Sequence, residues 1–166
     1  VIAAFFLKGA VVPFHGWAPD AYQGATLPVT AYMAAGVKAG VLLAAVRLFD
    51  GATIPALLVA PIAALPLASM AWGNLAAIRQ TSTRRMIGYS SIAHAGYLYF
   101  AFLGAPEGRF EAVAFYVIAY GLMNLLALAA LPGGEDDVAA DRLEALKGMF
   151  ARRPYAALTL GMAMLS

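Results

Sequence analysis

Of the chain's 166 residues, 63% are hydrophobic and only 12% charged, far more apolar surface than one soluble core of this size buries, so the bilayer is its natural solvent. A formal net charge of +2, with Lys and Arg dispersed, lacks the clustered basic face that phosphate binding requires and argues against a nucleic-acid partner. The lack of Cys excludes disulfides, thiolate metal sites and Cys-ligated iron–sulfur clusters from this chain. Its two His leave haem ligation open but without support, because His15 lies in a Pro-rich turn region and His94 sits alone on its helix.

In chain order, residues 1–12 form an apolar stretch shorter than the roughly 20 residues of a full span and read as a partial helix. There is neither a start Met nor a signal-peptide pattern. Residues 13–28, rich in Pro and aromatics, read as a broken or loop segment. Full-length helices are predicted at about 29–49, 56–78, 86–103 and 112–131, joined by an Asp50-Gly51 turn, a polar connector at 80–85 and a connector at 104–109 with Pro106 and Gly108. Residues 133–153 differ from the rest, holding Glu135, Asp136, Asp137, Asp141, Arg142, Glu144, Lys147, Arg152 and Arg153. With Leu143, Leu146 and Phe150 at i, i+3, i+7, this segment reads as a surface amphipathic helix. A second partial helix at 154–166 completes an all-α, polytopic membrane bundle that looks truncated at both ends.

Basic loops stay on the cytoplasmic side of a membrane. The turns after the first, third and fifth helices hold Arg79, Arg84, Arg85, Arg142, Lys147, Arg152 and Arg153, whereas the alternate turns hold only Arg47 and Arg109. The side carrying residues 13–28 is therefore predicted to be cytoplasmic.

Three ionisable residues remain at membrane depth: Lys8, Lys38 and His94. A lysine at the centre of a span costs from about 2.5 to more than 10 kcal/mol, so such residues face a bundle interior and mark a pathway or an ion pair. Lys38 lies mid-helix between Gly36 and Gly40, a spacing that lets another helix approach closely. Lys8, near Pro13, is also placed to snorkel to the interface. Desolvation can bring a lysine's pKa down from about 10.4 to where it exchanges protons near neutral pH, and an approaching anion reverses this.

Ser90, His94 and Tyr97 fall at i, i+4, i+7, beside Ser91, and make a polar stripe able to hold water; a histidine suits a proton relay, and a plain interhelical hydrogen bond also explains it. Tyr116, Tyr120 and Asn124 form a second stripe, for which packing is the default reading. Pro13, His15, Trp17, Pro19, Asp20, Tyr22 and Pro28 make an irregular stretch with two open readings, a broken helix of the kind that marks ion sites in transporters or an interfacial loop with an aromatic belt.

The runs Leu7-Lys8-Gly9, Pro13-Phe14-His15-Gly16-Trp17-Ala18-Pro19-Asp20-Ala21-Tyr22-Gln23-Gly24-Ala25 and Pro28-Val29, with Lys38 and Arg47, resemble the antiporter-like membrane subunits of proton-pumping NADH–quinone oxidoreductase, respiratory complex I. Gly73-Asn74-Leu75, followed by Arg84-Arg85-Met86-Ile87-Gly88-Tyr89-Ser90-Ser91-Ile92-Ala93-His94-Ala95-Gly96-Tyr97, is similar to the same family. The Asp20-Ala21-Tyr22-Gln23-Gly24-Ala25 run is most like the N-type subunits.

The resemblance implies that Lys8 belongs to the family's broken seventh helix and Lys38 to its eighth, both on a central proton axis, with His94 on the same path. A glutamate on an earlier helix and a lysine on a second broken helix are expected outside this chain, making it a fragment of a larger antiporter-like subunit. The implied function is proton translocation driven by quinone reduction elsewhere, with no catalytic redox centre, metal or cofactor in this chain and with NADH, FMN, iron–sulfur clusters and quinone in other subunits. The implied partners are neighbouring membrane-arm subunits and lipid. The implied location is a bacterial inner membrane, or an organellar or thylakoid one for relatives with another electron donor. The rival readings are a stand-alone sodium/proton antiporter subunit and a structural membrane scaffold.

Overall fold

The structure is a computed structural model that describes residues 1–49, 55–104, 107–132 and 141–165. Its helices are α1 (Ile2–Gly9), α2 (Trp17–Gly24), α3 (Leu27–Phe49), α4 (Ala56–Ile78), α5 (Thr83–Phe100), α6 (Arg109–Ala130), the single turn α7 (Met149–Arg152) and α8 (Pro154–Leu165). Short 3₁₀ turns follow at Ala101–Leu103 and Leu143–Leu146. Among the described residues there is no strand, and Ser82 and Arg142 form an isolated antiparallel bridge.

Three helices, α3, α4 and α6, are long and apolar enough to cross a membrane. Their 23, 23 and 22 residues rise about 1.5 Å each, giving roughly 33–35 Å against a hydrocarbon core of about 30 Å. The fourth expected span, α5, does not meet that criterion on composition, since it carries Arg84, Arg85 and several hydroxyls. Eleven of its 18 residues are buried, which places it in the interior of the bundle where protein, not lipid, meets its polar groups. It packs most extensively on α4 and next on α2. Glycine permits the first contact: a Cβ on Gly73 would lie 2.7 Å from the Ala93 amide nitrogen, and one on Gly96 would lie 2.5 Å from the Pro66 carbonyl oxygen.

Several boundaries differ from the sequence expectation, each for a local reason. The first helix stops at Gly9, not residue 12, because Ala10 adopts the left-handed conformation (φ 60°). The Ala10 amide then donates to the Leu7 carbonyl (3.2 Å) and the Val11 amide to that of Phe6 (2.9 Å), a Schellman closure that uses alanine where glycine is usual. The stretch 13–28 contains α2, and Pro28 sits in the first turn of α3, where the missing amide costs nothing. Instead of residue 86, α5 starts at Thr83, because the Ser82 hydroxyl caps it by accepting from the Arg85 amide at 3.0 Å. At 141–153 a single amphipathic helix is replaced by the 3₁₀ turn and α7, with Gly148 at φ +71° between them. The expected turn at Asp50-Gly51, Pro106 and residues 133–140 lie outside the described residues.

Three connectors meet on one side of the bundle. Asp20 of α2 pairs with Arg85 at the start of α5, and the Thr83 amide donates to the Asp141 carbonyl (2.7 Å). The apolar core forms two main clusters. One gathers Phe6, Val11, Leu42, Val46, Leu98, Val113 and Val117, and the other Tyr22, Ala34, Ile87, Ala127, Leu128 and Leu160. Between them runs a polar layer at matching heights, with Lys38 between Ala34 and Leu42 on α3, Ser91 between Ile87 and Ala95 on α5, and Tyr120 between Val117 and Ala127 on α6.

Candidate proton-path site

The break after α1 positions Lys8. It sits in the last turn of α1, whose closing carbonyls are taken up by neighbouring donors. Tyr99 braces this turn from α5: its hydroxyl donates to the Phe5 carbonyl (2.7 Å), and its ring packs edge-on to Phe6 (5.1 Å). Gly9 lets the ring approach, since a Cβ there would lie 2.6 Å from Tyr99 Cε2. Backbone groups freed by the break find side-chain partners, as a membrane interior demands. The Val12 amide donates to Ser69 Oγ of α4 (2.8 Å) and Trp17 Nε1 to the Leu7 carbonyl (2.9 Å). Among the residues of the 13–28 stretch, Trp17 thus pins the break. Pro19 is buried against α5 near Gly88, and Asp20 pairs with Arg85. His15 lies apart, edge-on to Trp72 at 6.1 Å.

Lys38 follows a π-helical stretch, Met33–Val37, a widening of the helix that is frequent at functional sites. It is 6% exposed. Its Nζ donates to the Ser91 carbonyl of α5 and stands 5.4 Å from the centroid of the Tyr120 ring, within cation–π reach. Among the described residues no carboxylate forms an ion pair with it. The close helix approach expected at Gly36 and Gly40 is not seen: Gly36 meets only the Tyr32 ring of its own helix, and Gly40 has nothing within 4 Å. Close approaches occur instead at Gly73 and Gly96.

Lys8 and Lys38, thirty positions apart in the chain, line one cavity of about 250 Å³, together with Trp17, Tyr22, Val37 and Ser91. Across the polar layer, a smaller cavity of about 50 Å³ is lined by Ser90, His94, Tyr120 and Asn124. His94 Nδ1 is hydrogen-bonded to the Tyr116 hydroxyl (2.8 Å), and its ring packs on Tyr120 (4.7 Å) and against Tyr97 (5.8 Å). The two polar stripes therefore face each other, α5 against α6. Tyr97 is half-exposed, and Asn124 is buried, its side-chain amide donating to the Tyr120 carbonyl (2.9 Å).

Sequence reasoning missed the contacts of three residues, reading Tyr22 as part of the irregular stretch, Arg84 as a loop charge and Ser69 not at all. Tyr22 donates to or accepts from Ser91 Oγ (3.1 Å) deep in the bundle. Ser69 is fully buried and is a single hydroxyl in a long apolar run, a pattern with no one-dimensional signal. Arg84, counted among the loop charges, is buried and ion-paired with buried Asp141 (3.2 Å). Among the described residues no group of three or more His, Asp or Glu is placed to hold a metal ion.

The fold and site together define a multi-pass helical membrane protein with a broken helix and an ionisable layer enclosed between two apolar layers. The whole chain, residues 1–166, matches the model of the family described as NADH:quinone oxidoreductase/Mrp antiporter, transmembrane, and the chain belongs to that family. Similar relatives include NADH-quinone oxidoreductase subunit N of Pelobacter propionicus, 45% identical over 100% of this chain and 35% of the relative, and that of Chloroflexus aggregans, 42% identical with the same coverage. The chain thus spans about a third of the length of these curated relatives. Among solved structures, respiratory complex I from Thermus thermophilus with bound aureothin matches at TM-score 0.80 and 36% identity, over 99% of this chain and 36% of that one. An archaeal membrane-bound sulfane sulfur reductase matches at TM-score 0.83 and 24% identity, over 96% and 33%, a likeness of fold.

Proposed function

We propose that this chain is the central part of subunit N of a bacterial NADH–quinone oxidoreductase and carries protons along Lys8, Lys38 and His94. The observation behind this reading is that two lysines from separate helices line one cavity, Lys8 at its exposed side and Lys38 buried, with the Tyr120 ring between Lys38 and His94. In this reading Lys8 exchanges protons with Lys38 through the cavity. The Ser91 carbonyl and the Tyr120 ring hold the Lys38 ammonium in place. His94, oriented by Tyr116, continues the path with Ser90 and Asn124.

Moving a proton against a membrane potential costs about 2.3 kcal/mol per 100 mV. This chain contributes no redox group, so quinone reduction in partner subunits supplies the energy, and NADH, FMN and iron–sulfur clusters belong to those partners. The protein sits in the inner membrane among other membrane-arm subunits, with the α2 side facing the cytoplasm. Names of the relatives favour this reading over a stand-alone antiporter.

The test is redox-driven proton uptake in proteoliposomes holding the whole complex with Lys38→Ala in the full-length subunit, assembly being verified on the same samples. Lost uptake with intact assembly is expected. Normal uptake would return Lys38 to a structural charge.

A further inference from the structure

One side chain stands between Lys38 and His94, which line different cavities. Tyr120, 5% exposed, lies between Lys38 and His94, with its ring 5.4 Å from Lys38 Nζ and 4.7 Å from the His94 ring. Its hydroxyl is buried within reach of the Ser91 and Asn124 side chains, yet makes no hydrogen bond of good geometry with either. A buried hydroxyl left unpaired is costly, and phenylalanine would fill the same space without that cost. Packing therefore accounts for the ring and not for the oxygen.

Its neighbours give the oxygen a role. Ser91 Oγ is bonded to Tyr22 Oη, and both residues line the cavity of the two lysines. Asn124 and His94 line the other cavity, whose volume of about 50 Å³ is enough for a water molecule, which takes about 30 Å³ in the liquid. A phenol is both donor and acceptor, so it can serve both sides at once.

We propose that the Tyr120 hydroxyl is the proton-transfer group that joins the two cavities; this rests on the reading of Lys38 and His94 as a proton path. In the step, a proton from the Lys38 side bonds to the Tyr120 oxygen while the original O–H bond breaks and releases its proton toward His94 and Asn124. The phenol stays neutral, one positive charge changes cavity, and rotation of the O–H resets the group.

The test places Tyr120→Phe in the full-length subunit of the assembled complex, reconstituted beside wild type and Lys38→Ala. Roughly tenfold or greater loss of redox-driven proton uptake is expected, with assembly intact because only an unpaired oxygen is removed. Tyr120→Ala, which opens the passage, is expected to add passive proton leak without turnover. Unchanged uptake in Tyr120→Phe while Lys38→Ala abolishes it overturns the proposal and leaves the path standing, whereas unchanged uptake in Lys38→Ala overturns the path itself. A fluorinated tyrosine at position 120 keeps the shape and lowers the phenol's pKa. It is expected to move the pH profile of uptake, and an unmoved profile refutes the transfer role even where the other variants fail to assemble.

Discussion

Removing the Asp141 carboxylate is expected to loosen the N-terminal end of α5. In the folded chain this one carboxylate pairs with Arg84 Nε (3.2 Å), accepts from the Arg84 amide (2.9 Å) and bonds the Ser82 hydroxyl. The two charged side chains are 5% and 6% exposed, so solvent does little to screen them. Breaking a buried pair costs up to about 3–5 kcal/mol, less here by what Arg84 keeps through its bond to the Ala25 carbonyl (3.0 Å), and against a total stability of about 5–15 kcal/mol even a part of that is large. Asp141→Ala is accordingly expected to lower stability by up to that amount in an unfolding titration of the purified full-length subunit in mixed micelles. Asp141→Asn, which keeps the shape and some hydrogen bonds, should cost less. Arg84→Met with Asp141→Leu should recover most of the loss, since no charge is then buried. A loss below about 1 kcal/mol for Asp141→Ala, the range of exposed pairs, would refute the idea that the connector clamps α5.

Gly96→Ala puts a Cβ 2.5 Å from the Pro66 carbonyl and 3.0 Å from the Met70 amide nitrogen, both backbone atoms, so α4 and α5 must part at a cost of about 1–3 kcal/mol; Gly16→Ala, with nothing within 4 Å, should cost much less in the same titration. Ser69→Ala strips the Val12 amide of its acceptor and is expected to cost about 1–3 kcal/mol, read as faster proteolysis at the break after α1. Tyr116→Phe removes the phenol bonded to His94 Nδ1; a net hydrogen bond of about 0.5–1.5 kcal/mol translates to at most about a tenfold drop in proton uptake by the reconstituted complex, and an unchanged rate would mean that His94 needs no orienting partner.

Lys8, Lys38 and His94 stood out in the sequence because a charge inside an apolar run is conspicuous in one dimension. Which of them share a cavity was not legible, since that depends on how α1 and α3 lie against each other and on a break that turns at Ala10 without a glycine. Tyr120 read as packing because its stripe with Tyr116 and Asn124 describes only a helix face; the placement of α6 against both α3 and α5 is what puts it between Lys38 and His94. The glycines show the same limit. Gly36 and Gly40 permit a close approach and receive none from a second helix among the described residues, whereas Gly73 and Gly96 receive one from neighbouring backbone. Spacing reports what a helix allows, and tertiary packing decides what uses it. The α5 bounds shifted because Ser82 capped the helix, a local signal present in the sequence but outweighed by the apolar run that begins later.

The two apolar clusters bear on how, in the proposed path, a layer with so few charges couples distant events. They sandwich Lys38, Ser91 and Tyr120 and keep the layer between them poorly screened. Two unit charges about 10 Å apart interact by about 0.4 kcal/mol in water but about 1.7 kcal/mol at an effective dielectric constant of 20. The second figure approaches the roughly 2.3 kcal/mol needed to move one charge through 100 mV. A charge arriving at one member of the layer thus shifts its neighbour by an amount comparable to the work of pumping. The same clusters flank the layer on both sides, so in the proposed path a proton moves along the layer and crosses between the cavities at Tyr120.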